Sequence, residues 1–151
     1  MIQGVEIKRL RVIPDQRGFV MEILRVDDDI FQEFGQVYLS VGYPGIVKAW
    51  HYHKIQTDFM TVVKGMARIG LYDARKDSST YGDTMEVFVG VLNPVLVKIP
   101  PEVYHGYKAV STEPAYVINC PDKPYNRESP DEFRVDPFNN AIPFDWRLKH
   151  R

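Results

Sequence analysis

The run Gly45-Ile46-Val47-Lys48-Ala49-Trp50-His51-Tyr52-His53, followed five residues on by Asp58, decides how the chain is read. Its β-branched and aromatic residues follow the turn signal Tyr43-Pro44-Gly45 and predict a strand over 46–53. Successive side chains on a strand point to opposite faces. Val47, Ala49, His51 and His53 therefore share one side, and Ile46, Lys48, Trp50 and Tyr52 the other. A side with two small apolar residues and two imidazoles suits the inside of a small barrel. Asp58 opens the next predicted strand within reach of the same hollow, and His105 opens a later one just after Pro100-Pro101. The fourth histidine, His150, sits in the basic terminus Arg147-Leu148-Lys149-His150-Arg151 and reads as solvated.

The same texture extends outward in both directions. Eleven prolines and 10 glycines punctuate short stretches rich in Val, Ile, Tyr and Phe. Strands are predicted over 5–13, 19–26, 36–41, 59–63, 67–72, 85–91, 95–99, 106–110 and 115–120. Turns are predicted at Pro14-Asp15-Gln16-Arg17-Gly18, Lys64-Gly65, 78–83, Asn93-Pro94 and Pro100-Pro101. Asp27-Asp28-Asp29 is expected to cap a short helix through Phe34, since carboxylates accept the first free backbone N–H groups. The Pro-rich, charged tail from Pro121 is expected to carry only short helical turns. Many short strands at near-regular spacing indicate an all-β sandwich or barrel. With no repeat, linker or low-complexity tract, residues 1–151 read as one domain.

Composition narrows the function. Hydrophobic residues make up 44% and charged residues 26% of the 151, as in a globular protein. Nineteen basic residues against 20 acidic ones give a net charge of -1, which argues against a nucleic-acid partner or a polybasic membrane anchor. The only cysteine, Cys120, precludes an intrachain disulfide and fits a reducing compartment. The uncharged run 87–97 is too short to span a bilayer, and the N-terminus lacks a signal-peptide pattern. A cytoplasmic location is the expectation.

Gly45-x5-His51-x-His53-x4-Asp58-x6-Gly65 resembles the first motif of the cupin superfamily, with Asp58 in place of the usual Glu. Pro100-x4-His105 resembles the second, with Glu102 for the usual Gly and Ala109 for the usual Asn. The resemblance implies a double-stranded β-helix, the cupin jelly roll. In metal-binding cupins the equivalent residues hold one divalent ion, which would make His51, His53, Asp58 and His105 the ligands. Such an N/O set suits a transition metal better than Ca or Mg. The alternative is that these histidines are hydrogen-bonded core residues.

A closer resemblance covers nearly the whole chain. Asp15-Gln16-Arg17-Gly18-Phe19 with Glu22, Gln36-x-Tyr38-x-Ser40, Gly45 to Tyr52 and Ile99 to Tyr107 are similar to successive segments of the dTDP-4-dehydrorhamnose 3,5-epimerase family. So are Asn119-Cys120-Pro121-Asp122, Asp131-Glu132 and Ala141 to Trp146. The family's Q-x-N-x-S pattern has Asn where this chain has Tyr38. The resemblance implies a homodimeric jelly roll, needing no cofactor, that binds a deoxythymidine-diphospho-4-ketosugar. It carries the catalytic base onto His51 and substrate contacts onto Arg17, Glu22, Gln36, Lys48 and Tyr125. Lys48 replaces the family's Arg and keeps the charge without the bidentate fork.

Moving a proton beside a ketone needs a base, stabilisation of the enolate oxygen, and an acid on the other face. The family's enolate-stabilising Lys aligns with Asp58 and its acidic Tyr with Ile118, while Tyr116 lies two residues away on the same strand face. The family's His-orienting Asp falls beyond Arg151. These departures complete the cupin ligand set, because Asp58 appears where Lys is lost and His53 where the family has Gln. A metal there would occupy His51, so Glu102, Tyr104 or a metal-bound hydroxide would have to move the proton. The leading expectation is an epimerase of a nucleotide-linked 4-keto-6-deoxyhexose, with His51, Asp58 and His105 as its catalytic residues. The alternatives are a metal-dependent cupin (a sugar isomerase or an oxygenase) and a non-catalytic sugar-nucleotide binding protein.

Overall fold

A computed structural model describes residues 1–148. The strands are β1 (Glu6–Arg9), β2 (Val12–Asp15), β3 (Gly18–Met21), β4 (Tyr38–Gly42), β5 (Val47–Tyr52) and β6 (Asp58–Lys64). They continue as β7 (Met66–Asp73), β8 (Thr84–Gly90), β9 (Val95–Ile99), β10 (Val103–Ala109), β11 (Ala115–Asn119) and β12 (Phe133–Arg134). Two five-stranded sheets, β1-β9-β6-β11-β4 and β12-β5-β10-β7-β8, pair antiparallel throughout, and β2–β3 forms a separate hairpin. This is the jelly roll expected from the sequence. No helix of the described residues is long and apolar enough to cross a membrane.

Alternation along the strands fills the space between the sheets. Met60, Val62 and Val97 from the first sheet meet Ile69, Leu71, Val87 and Val89 from the second. Burying each such side chain contributes roughly 1.5–3 kcal/mol. A second cluster of Leu10, Ile30, Phe59 and Leu96 seals the side under the 23–31 segment. The predicted strand over 5–13 divides at Leu10-Arg11, because Leu10 turns inward to this cluster.

The expected helix after Asp27 is replaced by turns. Asp28 points its carboxylate back to the Arg25 N–H and to Lys8 instead of forward to cap a helix. The expected helical turns of the tail are likewise absent from the described residues. Asp136 accepts N–H bonds from Phe138 and Asn139, Asn140 from Ile142, and Asp145 from Arg147. Such local side-chain bonds compete with helix formation. The tail adds β12 to the sheet edge and packs Phe144 and Trp146 around Trp50, with ring centroids 5.3 and 4.9 Å from it. His150 lies outside the described residues.

One irregularity positions the site. On β10 and β5, His105 faces His51, but Tyr107 faces Lys48, so Ala49 and Trp50 of β5 answer the single Gly106 of β10. This bulge re-aims side chains. Strict alternation set Lys48 on the face opposite His51; the extra residue turns it inward, where its Nζ donates to Ser40 Oγ on β4, 2.8 Å away. The strands approach so closely here that a Cβ on Gly106 would lie 2.2 Å from Ala49 Cβ.

Candidate functional site

A cavity of about 870 Å³ opens between the sheets, walled by β5 and Tyr107 on one side and by β4 and β11 on the other. The segment carrying Tyr125, Asp131 and Arg134 forms its rim.

His51 and His53 line the cavity, and Asp58 and His105 are buried behind them; each of the four presents one donor atom, and these atoms all lie within 4.8 Å of one another. The His51 and His105 ring centroids are 4.1 Å apart. Asp58 is wholly buried at the start of β6, and its carboxylate is fully engaged. Oδ1 accepts from Gln56 Nε2 at 2.7 Å, and Oδ2 lies 2.8 Å from His105 Nε2 and 3.3 Å from His53 Nε2. Burial alone would raise its pKa, but the hydrogen bonds from His105 and His53 outweigh it and hold the carboxyl well below the usual range.

The outer nitrogens fix the tautomers. His105 Nδ1 bonds the Val103 carbonyl at 2.9 Å, and His53 Nδ1 bonds the Asp131 carbonyl. A carbonyl only accepts, so both rings carry hydrogen on Nδ1 and turn Nε2 toward Asp58. The His105–Asp58 contact is then a hydrogen bond only with a second proton on the ring, the form that the buried carboxylate partners as an ion pair. Asp58 likewise raises the His53 pKa against the opposing effect of burial. His51 differs: burial first, then His105, holds it well below its ordinary value, so it stays neutral.

Two further arrangements come from residues that the sequence did not mark as site residues, although Asp131 falls in a segment similar to the family's. Gln56 bridges Asp58 and His53 from an irregular loop, where no periodicity marks it. The Asp131 carboxylate accepts the consecutive N–H groups of Lys54, Ile55 and Gln56 at 2.8, 3.0 and 3.0 Å, which pins that loop.

Of the residues predicted to contact substrate, Gln36, Lys48 and Tyr125 line the cavity. Arg17 and Glu22 do not; Arg17 pairs with Asp15 at the tip of the β2–β3 hairpin, and Glu22 with Arg25. On β11 the cavity is lined by Val117 and Asn119, so Ile118 and Tyr116 face away and Tyr116 is no substitute acid. Tyr104 stacks on Tyr52 with ring centroids 4.2 Å apart, and Glu102 is exposed; neither lines the cavity.

The donor set fits a divalent ion in one respect. His53 and His105 donate Nδ1–H to carbonyls and turn Nε2 inward, the usual arrangement of metal-ligating imidazoles. His51, His53, Asp58 and His105 would hold such an ion, which supplies Lewis acidity when bound.

A family model described as dTDP-4-dehydrorhamnose 3,5-epimerase matches residues 1–151. The spore coat polysaccharide biosynthesis protein SpsL of Bacillus subtilis (strain 168) is 40% identical over 151 residues, covering 100% of both chains. The probable low-salt glycan biosynthesis epimerase Agl13 of Haloferax volcanii is 40% identical over 150 residues, covering 98% of this chain and 96% of that one. The crystal structure of a dTDP sugar isomerase from Desulfovibrio desulfuricans G20 superposes with a TM-score of 0.91 at 36% identity, covering 96% of this chain and 92% of that one. With the jelly roll and the cavity histidines in place, these matches over the full length identify the chain as a member of the dTDP-4-dehydrorhamnose 3,5-epimerase family of sugar epimerases.

Proposed function

We propose that this protein epimerises a nucleotide-linked 4-keto-6-deoxyhexose, with His51 as the base that takes the proton from the carbon beside the ketone. The observation that carries this reading is a neutral His51 that lines the cavity, its ring centroid 4.1 Å from that of the buried, Asp58-bound His105 behind it. A neutral imidazole accepts a proton. The adjacent imidazolium places positive charge where the enolate oxygen develops, taking over the task of the family's lysine. Lys48 reaches the diphosphate, Gln36 contacts the nucleotide and Tyr125 stacks on its base. The product serves polysaccharide synthesis in the cytoplasm. Incubation with a 4-keto-6-deoxy sugar nucleotide in D2O tests the reading: deuterium at C3 or C5 is expected, and its absence from both carbons would refute it.

The working unit in this reading is a homodimer. Arg17 and Glu22 lie away from their own cavity, at the tip of and just after a hairpin that, among the described residues, pairs only with itself and exposes Val12, Ile13, Phe19 and Val20. A second copy covers that apolar surface and receives these two side chains. Sedimentation at the monomer mass would contradict it.

A second reading, a metal-assisted cupin, is favoured by the inward Nε2 atoms of His53 and His105. Elemental analysis after dialysis against Fe, Mn, Ni, Co or Zn tests it, and retention of less than about a tenth of an equivalent would rule it out.

A further inference from the structure

We propose that the Tyr38 hydroxyl is the proton donor of the reaction, acting on the sugar carbon from the cavity wall opposite His51. The inference rests on the epimerase reading above. Inversion at carbon needs a proton delivered to the face opposite the one it left. His51 stands on β5, in one sheet, and Tyr38 on β4, in the other, and both line the same cavity. Tyr107 also lines the cavity, but it belongs to the His51 sheet, and its hydroxyl is tied to Ser40 Oγ at 2.9 Å.

The bonds around Tyr38 settle which way its hydrogen goes. Asn119 lies directly across from it in the β11–β4 register. Asn119 Oδ1 accepts the Phe59 N–H at 3.0 Å, so its amide orientation is fixed, and Nδ2 donates to the Tyr38 oxygen at 2.9 Å. The Tyr38 oxygen is thus an acceptor toward Asn119, and its own hydrogen is left for the cavity. Although the residue as a whole is 41% exposed, desolvation of its hydroxyl end, then the Asp58 charge, raises the hydroxyl to about 12 and keeps it protonated at neutral pH. Tyr38 also stands where the family pattern carries Asn, in a chain whose β11 presents no hydroxyl to the cavity.

The proton balance closes. His51 takes the proton, the C–H pair becomes the C=C bond of an enolate, and the carbonyl π pair moves to oxygen. On return the oxygen re-forms C=O, and the double-bond pair takes the Tyr38 proton on the opposite face. The O–H pair stays behind as tyrosinate, which the Asn119 N–H stabilises. Solvent water then returns the proton of the His51 imidazolium to Tyr38, and nothing is oxidised or reduced.

Tyr38→Phe tests this with the 4-keto-6-deoxy sugar nucleotide in D2O. Formation of inverted product is expected to fall about 10²–10⁴-fold. Exchange of deuterium with retained configuration, which needs only His51, is expected to stay within about tenfold. Tyr116→Phe, outside the cavity, is expected to leave both unchanged. Inversion persisting within tenfold in Tyr38→Phe would overturn the proposal. So would an equal fall of exchange and inversion with dTDP binding and melting temperature intact. Absence of exchange in the unsubstituted protein would instead remove the epimerase reading itself, a different and recognisable result.

Discussion

Asp58→Asn separates the charge of the histidine cluster from its shape. The asparagine fills the same buried space, and its Oδ1 keeps the bond from Gln56 Nε2. Its Nδ2 then faces His105 Nε2 where the carboxylate did. His105 still gives Nδ1–H to Val103, so its Nε2 becomes a lone pair that accepts from the new amide, and the ring is neutral. The hydrogen-bond count is nearly preserved, and the melting temperature should move little. The imidazolium is lost. If that cation stabilises the developing enolate, its removal costs about 2.7–4 kcal/mol of barrier, roughly 10²–10³ in rate. The assay is kcat for epimerisation alongside thermal unfolding. A rate within about threefold of the parent would refute the role assigned to the Asp58–His105 pair. Asp58→Ala is the harsher companion, since it strands the buried imidazolium and should destabilise the fold by about 3–5 kcal/mol.

Three other outcomes follow from contacts elsewhere. Gly106→Ala forces a Cβ to 2.2 Å from Ala49 Cβ and 2.7 Å from the Lys48 carbonyl, so β5 must shift. Overpacking of this kind costs about 1–3 kcal/mol, and activity should fall further because Lys48 and His51 ride on β5; unchanged kcat and stability would show that the bulge tolerates the methyl. The buried Asp73 accepts from Arg75 Nε, Ser78 Oγ and Thr80 Oγ1 at 2.8, 2.6 and 2.6 Å, and although burial opposes them these bonds depress its pKa. A depressed folded-state pKa contributes stability that is present above the unfolded value near 4 and lost as pH falls, so Asp73→Asn should flatten the acid side of a stability–pH curve in urea titrations; an unchanged acid slope would contradict this. Trp146→Ala removes a side chain 4.9 Å from Trp50 and 4.6 Å from Phe144, ring to ring, and should cost about 3–5 kcal/mol in chemical denaturation; a loss below 1 kcal/mol would mean the tail does not clamp the sheet.

The jelly roll and the histidine cluster were legible because both depend on short-range spacing. His51 lies on β5 and His53 just past its end, two residues on, and His105 lies on the neighbouring β10 directly across from His51, so alternation and register aim them together. Lys48 and Tyr38 show where that logic stops. Lys48 reaches the cavity through one extra residue on β5, and a bulge of one residue leaves no mark on hydropathy yet reverses every side chain beyond it. Tyr38 acquires its role from Asn119, 81 positions away, whose amide is oriented by a third element at Phe59. The helix expected after Asp27 failed for a related reason: Asp28 had a tertiary partner in Lys8 and a local one at Arg25, and both drew its carboxylate away from the cap. In each case the residue type set what the side chain can do, and a partner remote in sequence set which option it took. The loss of the family's Lys and Tyr therefore does not count against catalysis by itself. A positive charge returns behind His51, on His105 held by Asp58, and a phenolic hydroxyl returns to the cavity wall through Tyr38.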